Sequence, residues 1–273
     1  MEAPPARTTN GRRAVNDERT VYECCPLCES PSVVHHLDGN CSYHACYDPS
    51  LSPVIRWLRC LPCGHIFTDG YYTEAALGVV FRRSNEGQRG GYDVEGQRHV
   101  SARMVEKVLP YASGGSWLDV GFGNGSLLVT AREYGFVPVG LDLRAETVAS
   151  LAQIGVESHC ADITTFVRDE PLTVISMADV LEHMPFPKVG LRAAHRLLIR
   201  GGVLFASMPN VESAVWEAWE QQGTNPYWGE LEHYHNFGRR RLYDLLREHA
   251  FEPVRYGVSE RYRSCMEVIA VRR

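Results

Sequence analysis

Leu118-Asp119-Val120-Gly121-Phe122-Gly123-Asn124-Gly125 is the stretch that decides the fold. A short apolar run at 116–120 leads into it, and an apolar-periodic segment at 126–134 leads out. A strand that turns into a helix through a glycine loop opens an α/β unit and offers a ligand site at the turn. Glycines permit the tight turn and let a ligand approach the backbone closely. A dinucleotide fold spaces them G-x-G-x-x-G to seat a pyrophosphate. Here the spacing is G-x-G-x-G with an acid ahead of it. That arrangement suits a ligand carrying an ammonium group and a ribose.

Outward from the loop, strands at 137–141, 156–159, 172–177 and 203–207 alternate with helices at 146–152 and 189–199, the latter ended by Gly201-Gly202. Leu242, Leu245 and Leu246 mark a late helix, and strands at 253–257 and 265–271 follow it. This alternation predicts an α/β fold: a Rossmann-like, seven-stranded, mostly parallel sheet with helices on both faces. On the other side of the loop, residues 1–20 read as a polar tail without periodicity. Residues 21–70 form a cysteine-rich module. Residues 71–112 read as a connector, with a glycine-rich loop at 87–96 and then a helix. That helix carries Val100, Met104, Val105 and Val108 and ends at Pro110.

Two further acids follow the glycine loop. Asp142, in Leu141-Asp142-Leu143, ends the second strand, where a carboxylate can accept both hydroxyls of a ribose. Asp162, in Ala161-Asp162-Ile163, follows the third, where it can meet an adenine amino group. With LDVGFGNG at 118–125, these acids resemble the motifs of the class I S-adenosylmethionine-dependent methyltransferases. MADVLEHMPFP at 177–187 and HYHNFGRRRLYDLLREHAFEP at 233–253 are similar to segments of the ubiquinone-biosynthesis-type branch. The resemblance covers residues 95–273. It implies a cofactor-binding domain at 113–273, with the connector helix forming part of a cofactor lid. It also implies cofactor contacts from Asp119, Gly121, Phe122, Gly123, Gly125, Asp142, Leu143, Asp162, Ile163 and Met177. The chemistry implied is in-line attack on a sulfonium methyl, where alignment is the main contribution of the enzyme.

Seven of the nine cysteines lie between Cys24 and Cys63. Cys25-Pro-Leu-Cys28 and Cys60-Leu-Pro-Cys63 form two C-x-x-C pairs, and two such knuckles can supply the four thiolates of a structural zinc site. A rubredoxin-like iron site has comparable spacing, but only the second pair carries the glycine, Gly64, that usually follows. Cys24, Cys41, Cys46, His35, His36, His44 and His65 read as surface or packing residues. The module resembles the zinc-binding N-terminal part of sugar C-methyltransferases, including Trp57-Leu58-Arg59 before the second pair. Those proteins carry a further large C-terminal domain. This chain ends after the methyltransferase-like core, which argues against a sugar substrate and carbon methylation. The expected acceptor is a small molecule, with O-methylation favoured beside C- or N-methylation, in a setting such as secondary metabolism.

Composition excludes several alternatives. Lys and Arg number 28 against 33 Asp and Glu, a formal net charge of −5. A chain that grips a nucleic-acid backbone usually carries a basic face, so the acidic balance argues against the zinc-bearing ribosomal RNA methyltransferases that the module also resembles. The Arg239-Arg240-Arg241 run reads as a solvated helix start. No apolar run is long enough for a bilayer, which argues against a membrane partner. The polar N-terminus lacks a signal core, so a cytoplasmic protein is expected. The sequence does not set the oligomeric state. A non-catalytic cofactor-binding interaction protein is the remaining alternative.

His183, at the end of the fourth strand, and His233, in an aromatic segment at 216–235, are the candidate general bases. Tyr227, Trp228, Glu232, Tyr234 and His235 are expected to help line an acceptor pocket. The family resemblance also implies that Tyr92 and Arg98, before the first strand, lie near the amino-acid end of the cofactor, where a guanidinium can hold a carboxylate.

Overall fold

The computed structural model describes residues 18–82 and 90–273. Residues 1–17 of the tail expected at 1–20, and residues 87–89 of the loop expected at 87–96, therefore lie outside the described residues. Arg19–Val21, whose first two residues were read from sequence as tail, form strand β1 and pair with β5 (Gly70–Tyr72). Between them, β2 (Val33–Asn40), β3 (Val54–Cys60) and β4 (Ile66–Thr68) form an antiparallel ribbon. The knuckle Cys25–Cys28 precedes β2, and the knuckle Cys60–Cys63 turns β3 into β4.

The helices α1 (Glu74–Arg82) and α2 (Val94–Val108) lead to the main domain. α2 begins inside the stretch expected to be loop. Its face of Ser101, Met104, Val105 and Val108 is buried, and that packing outweighs the helix cost of Gly96. From there β6 (Gly115–Val120), α3 (Ser126–Glu133), β7 (Phe136–Asp142), α4 (Ala145–Gln153), β8 (Glu157–Cys160) and β9 (Leu172–Ala178) alternate as expected. They are followed by α5 (Pro187–Leu197), β10 (Leu198–Pro209), α6 (Ala214–Gln222), the short β11 (His235–Asn236), α7 (Arg239–Glu248), β12 (Phe251–Val258) and β13 (Cys265–Arg272).

Seven strands form one sheet in the order β12-β13-β10-β9-β6-β7-β8. All neighbours are parallel except β13, which runs antiparallel to both β10 and β12. The order reverses at β6, which has β7 on one side and β9 on the other. A crevice at the carboxyl ends of these strands is where open α/β sheets take ligands.

Alternate residues of each strand face opposite layers. Trp117, Val174, Phe205 and Ile269 pack with α2, α3 and α4. Their neighbours Leu118, Ile175, Leu204 and Val268 pack with α5 and α7. That second layer also takes in Cys25, Leu27, Cys60 and Phe67 of the ribbon. The ribbon is further tied to the main domain by β11, which extends the ribbon sheet along β4.

Two local expectations are corrected. α5 stops at Leu197 rather than at Gly201-Gly202. β10 starts at once from Leu198, and the glycines lie where its register with β9 shifts, with Gly201 at φ 77°. A glycine in a strand relieves the strain of such an irregularity, so here it marks a bulge rather than a helix end. Arg241 is not solvated: it is 9% exposed and makes a forked hydrogen bond to Glu248.

Candidate active site

The glycine loop follows directly from β6. Gly121, Gly123 and Gly125 have φ of 64°, 57° and 77°, in the left-handed region that side chains disfavour. At Gly125 a Cβ would also lie 2.5 Å from Leu151 Cδ1. The loop is pinned to the next strand by Gly121 N–H donating to Leu141 O at 2.7 Å.

Asp119 lies beneath this loop, 1% exposed. Its Oδ1 accepts from Ser176 Oγ at 2.6 Å, and Ser176 Oγ accepts from Trp117 Nε1 at 2.8 Å. Its Oδ2 has no partner. Burial lifts the Asp119 carboxyl to about 6, against the pull of Arg261 and Ser176. Asp142 ends β7. Its Oδ1 accepts from Arg144 N and Nε, both at 2.9 Å, and its Oδ2 from Arg144 Nη2 at 2.8 Å. Asp162 caps the turn after β8, its Oδ1 accepting from Thr164 N at 2.7 Å.

One cavity of about 890 Å³ joins these positions. Gly121, Phe122, Gly123, Asp142, Leu143, Asp162 and Ile163 line it. Asp119, Gly125 and Met177 do not. Gly125 starts α3, and Met177 is fully buried against α5. The cause for Met177 is strand alternation: the next residue, Ala178, is the one that faces the cavity.

His183 and His233 meet at the far end of the same cavity, with ring centroids 4.6 Å apart and planes at 83°. His183 lies in a short 3-10 turn, Leu181–His183, after β9. Its Nδ1 donates to Glu232 O at 3.0 Å, which leaves Nε2 as the nitrogen able to accept a proton. His233 is 6% exposed, and its Nδ1 is unpartnered. Burial and the neighbouring His183 hold His233 down at about 3. Glu182, 1% exposed, has an unpartnered Oε2, and burial pushes its carboxyl well above the usual range.

Tyr92, Tyr227, Glu232 and Tyr234 line the cavity as expected. Trp228, His235 and Arg98 do not. Trp228 packs edge-on against Trp57 and Trp216. His235 is fully buried where β11 meets the ribbon. Arg98 forks onto Glu133 of α3. Tyr72, Val80 and Phe81 from β5 and α1, with Arg261 and Tyr262 from the β12–β13 turn, line the cavity without having been foreseen. A signal for the last two was available. A final antiparallel strand returns its hairpin turn to the carboxyl edge of the sheet.

The ribbon shapes the wall of this cavity. Gly39 lies so close to the segment Pro226–Gly229 that a Cβ would fall 1.8 Å from Trp228 O. Trp57 Nε1 donates to the same oxygen at 3.0 Å. His44 Nε2 meets Glu230 Oε1 at 2.5 Å. Burial raises Glu230, but His44, His233 and His183 outweigh it and leave the carboxyl at about 2.

Cys25, Cys28, Cys60 and Cys63 bring their Sγ atoms within 4.8 Å of one another. The pairs Cys25–Cys63 and Cys28–Cys60 are 3.7 and 3.4 Å apart. These separations are far longer than a disulfide bond of ~2.05 Å. They lie near the ~3.8 Å that a tetrahedral ion with 2.3 Å bonds to sulfur requires. The hydrogen bond from Cys25 holds the Cys63 thiol below its ordinary range.

This strand order, with a glycine loop and two acids at the point of reversal, defines a Rossmann-like fold of the class I methyltransferase type. Residues 95–256 match the family described as a methyltransferase domain, and the chain belongs to that family. A ubiquinone biosynthesis O-methyltransferase from Sodalis glossinidius (strain morsitans) is 30% identical over 141 residues, which is 46% of this chain and 56% of the relative. One from Klebsiella pneumoniae (strain 342) is 31% identical over 145 residues, 46% of this chain and 58% of the relative. The chain thus spans about half the length of the curated relatives it matches. Among solved structures, magnesium protoporphyrin IX methyltransferase from Synechocystis PCC 6803 with bound SAH gives a TM-score of 0.53 at 17% identity, over 66% of this chain and 84% of that one. An N-methyltransferase from Bradyrhizobium japonicum WM9 in complex with S-adenosyl-L-homocysteine gives 0.50 at 16% identity, over 69% and 93%. At these identities the likeness concerns the fold. No helix among the described residues is long and apolar enough to cross a membrane.

Proposed function

We propose that this protein is an S-adenosylmethionine-dependent methyltransferase acting on a small-molecule acceptor, with an oxygen nucleophile favoured and a structural zinc in the ribbon. The observation that carries the reading is the single cavity running from the glycine loop, past Asp142 and Asp162, to the His183–His233 pair. When bound, the cofactor supplies an electrophilic methyl group on a sulfonium. Asp142 holds the ribose hydroxyls, with Arg144 releasing part of its grip. Asp162 and Ile163 receive the adenine. The unpartnered Oδ2 of Asp119 supplies a negative field under the loop for the ammonium.

His183 is the base. Its Nδ1 is committed to Glu232 O, so Nε2 can take the acceptor's proton as the methyl is transferred. His233, held neutral down to about pH 3, is a poor base near neutrality and serves to orient the acceptor. Tyr72, Val80, Phe81, Tyr227 and Tyr234, which all line the cavity, border the route by which the acceptor enters and keep water from the sulfonium. Cys25, Cys28, Cys60 and Cys63 hold the zinc, and through Trp57 and Gly39 the ribbon fixes the Pro226–Gly229 wall.

Calorimetric titration with S-adenosylmethionine tests the reading. Binding at one site per chain is expected. A folded protein that takes up no S-adenosylmethionine overturns it.

A further inference from the structure

Among the described residues, two cations line the cavity, Arg144 and Arg261. Arg144 is held at the ribose end by Asp142. Arg261 comes from the turn between β12 and β13. Cys265 of β13 lies opposite Pro209 of β10, so that turn rises over the carboxyl ends of the parallel strands.

The turn is braced from several directions. The N–H groups of Arg261 and Tyr262 both donate to Ser259 Oγ, at 3.2 and 3.3 Å, and Ser259 is buried. Cys265 N–H donates to Tyr262 O at 2.7 Å. The adjacent Glu260 pairs with Lys107 of α2 at 2.6 Å and anchors its own N–H on Glu267 Oε1 at 2.8 Å. The backbone that carries Arg261 is thus fixed, while its guanidinium is not saturated. Nη1 is 3.8 Å from Asp179 Oδ2, beyond hydrogen-bond length, and Asp179 Oδ1 is committed to Ser207 Oγ at 2.8 Å.

Asp179 directly follows β9, and the next residue, Val180, packs over Gly121, where a Cβ would lie 3.2 Å from Val180 Cγ2. Arg261 is therefore beside the start of the glycine loop. It acts on the buried Asp119 below, pulling its carboxyl down against burial. One cation and two acids, Asp119 and Asp179, make a field matched to a zwitterion.

We propose that Arg261 binds the carboxylate of the cofactor's methionine moiety, the role that the family resemblance had suggested for Arg98. The assignment rests on the S-adenosylmethionine reading above. A guanidinium fork meets a carboxylate through two charge-assisted hydrogen bonds. The ammonium is left to the acids beneath the loop.

The test compares two ligands by calorimetry on the full chain: S-adenosylmethionine, and its decarboxylated analogue, which lacks the carboxylate and keeps the sulfonium, ribose and adenine. Arg261→Gln keeps a polar side chain but shortens it and removes the charge. Arg261→Ala serves as a second variant, and the melting temperature of each checks folding. In both variants Kd for S-adenosylmethionine rises roughly tenfold to a hundredfold. Kd for the decarboxylated analogue changes less than about twofold. Equal losses for both ligands, or no loss for either, overturn the assignment while leaving the cofactor reading intact. Failure of the wild-type protein to bind S-adenosylmethionine overturns the cofactor reading instead.

Discussion

His65 Nε2 and His235 Nδ1 lie 3.0 Å apart, fully enclosed, and join the ribbon to the main domain. The direction of this hydrogen bond is fixed by its neighbour. His235 Nε2 is 2.9 Å from Met184 O, and a carbonyl can only accept, so Nε2 carries the proton. His235 Nδ1 is then the acceptor, and His65 Nε2–H is the donor. The chain ends at Met184, the residue after His183. Tyr234 N–H donates to Glu182 O at 2.8 Å, a second tie to the same turn.

Replacing one member of this pair leaves a buried polar nitrogen unpaired. His65→Leu should cost about 1–3 kcal/mol in urea unfolding, and His235→Leu at least as much. The double variant should be less destabilised than the two costs added, by about 1 kcal/mol, because the second change removes the orphan. Strict additivity would show that the two rings do not support each other.

The cofactor reading predicts that Asp142→Ala raises Kd for S-adenosylmethionine at least ~tenfold, since two ribose hydroxyls lose a charged acceptor. The variant also removes the carboxylate onto which the Arg144 guanidinium forks. Arg144→Ala should therefore leave Kd unchanged or lower it. A loss in Arg144→Ala as large as that in Asp142→Ala would place Arg144, not Asp142, in contact with the cofactor.

The two histidines should separate in kinetics once an acceptor is in hand. His183→Ala should lower kcat by ~10²–10⁴ while leaving Kd for S-adenosylmethionine within about twofold. His233→Ala should lower kcat less and raise KM for the acceptor more. The reverse pattern would move the base to His233.

Acid should weaken the fold in a defined window. Burial depresses His233 to about 3 and His235 to about 4 from an ordinary 6.5. Depressed bases are neutral in the folded chain and protonate first in the unfolded one. Their stabilisation is complete above pH 6.5 and is lost as pH falls toward 4, at ~1.4 kcal/mol per unit for each ring. Urea unfolding of wild type at pH 7 and pH 5, beside His233→Gln, should show a drop that is smaller in the variant by about one proton's worth. Parallel profiles would mean that His233 is protonated without opening the fold.

Metal analysis should find about one zinc per chain, and the doubly substituted Cys60→Ser/Cys63→Ser protein should retain less than about a tenth of it. Removing the ion should lower the melting temperature and loosen the Pro226–Gly229 wall, read as quicker amide exchange there. Iron in its place, with visible colour, would reassign the site.

Much of this protein was legible along the chain. The strand–loop–helix at 116–134 and the acids at Asp142 and Asp162 are short-range patterns. Each needs only a strand to end and a turn to begin, and the folded chain puts both acids on one cavity with the loop. The two C-x-x-C knuckles are local in the same way, and their four sulfurs converge. The tertiary structure alone decided which neighbours those segments meet. Met177 faces a helix layer because strand alternation turns it away from the ligand side. Arg98 is drawn to Glu133 across two helices, and Arg261 joins the loop's cavity from a turn far along the sequence. β11 joins the ribbon through a register that brings His235 opposite Phe67, a pairing that no local propensity encodes. The physical reason is common to all three. Backbone turns are set by residues a few places apart, whereas burial and ion pairing depend on surfaces that exist only after the layers have closed.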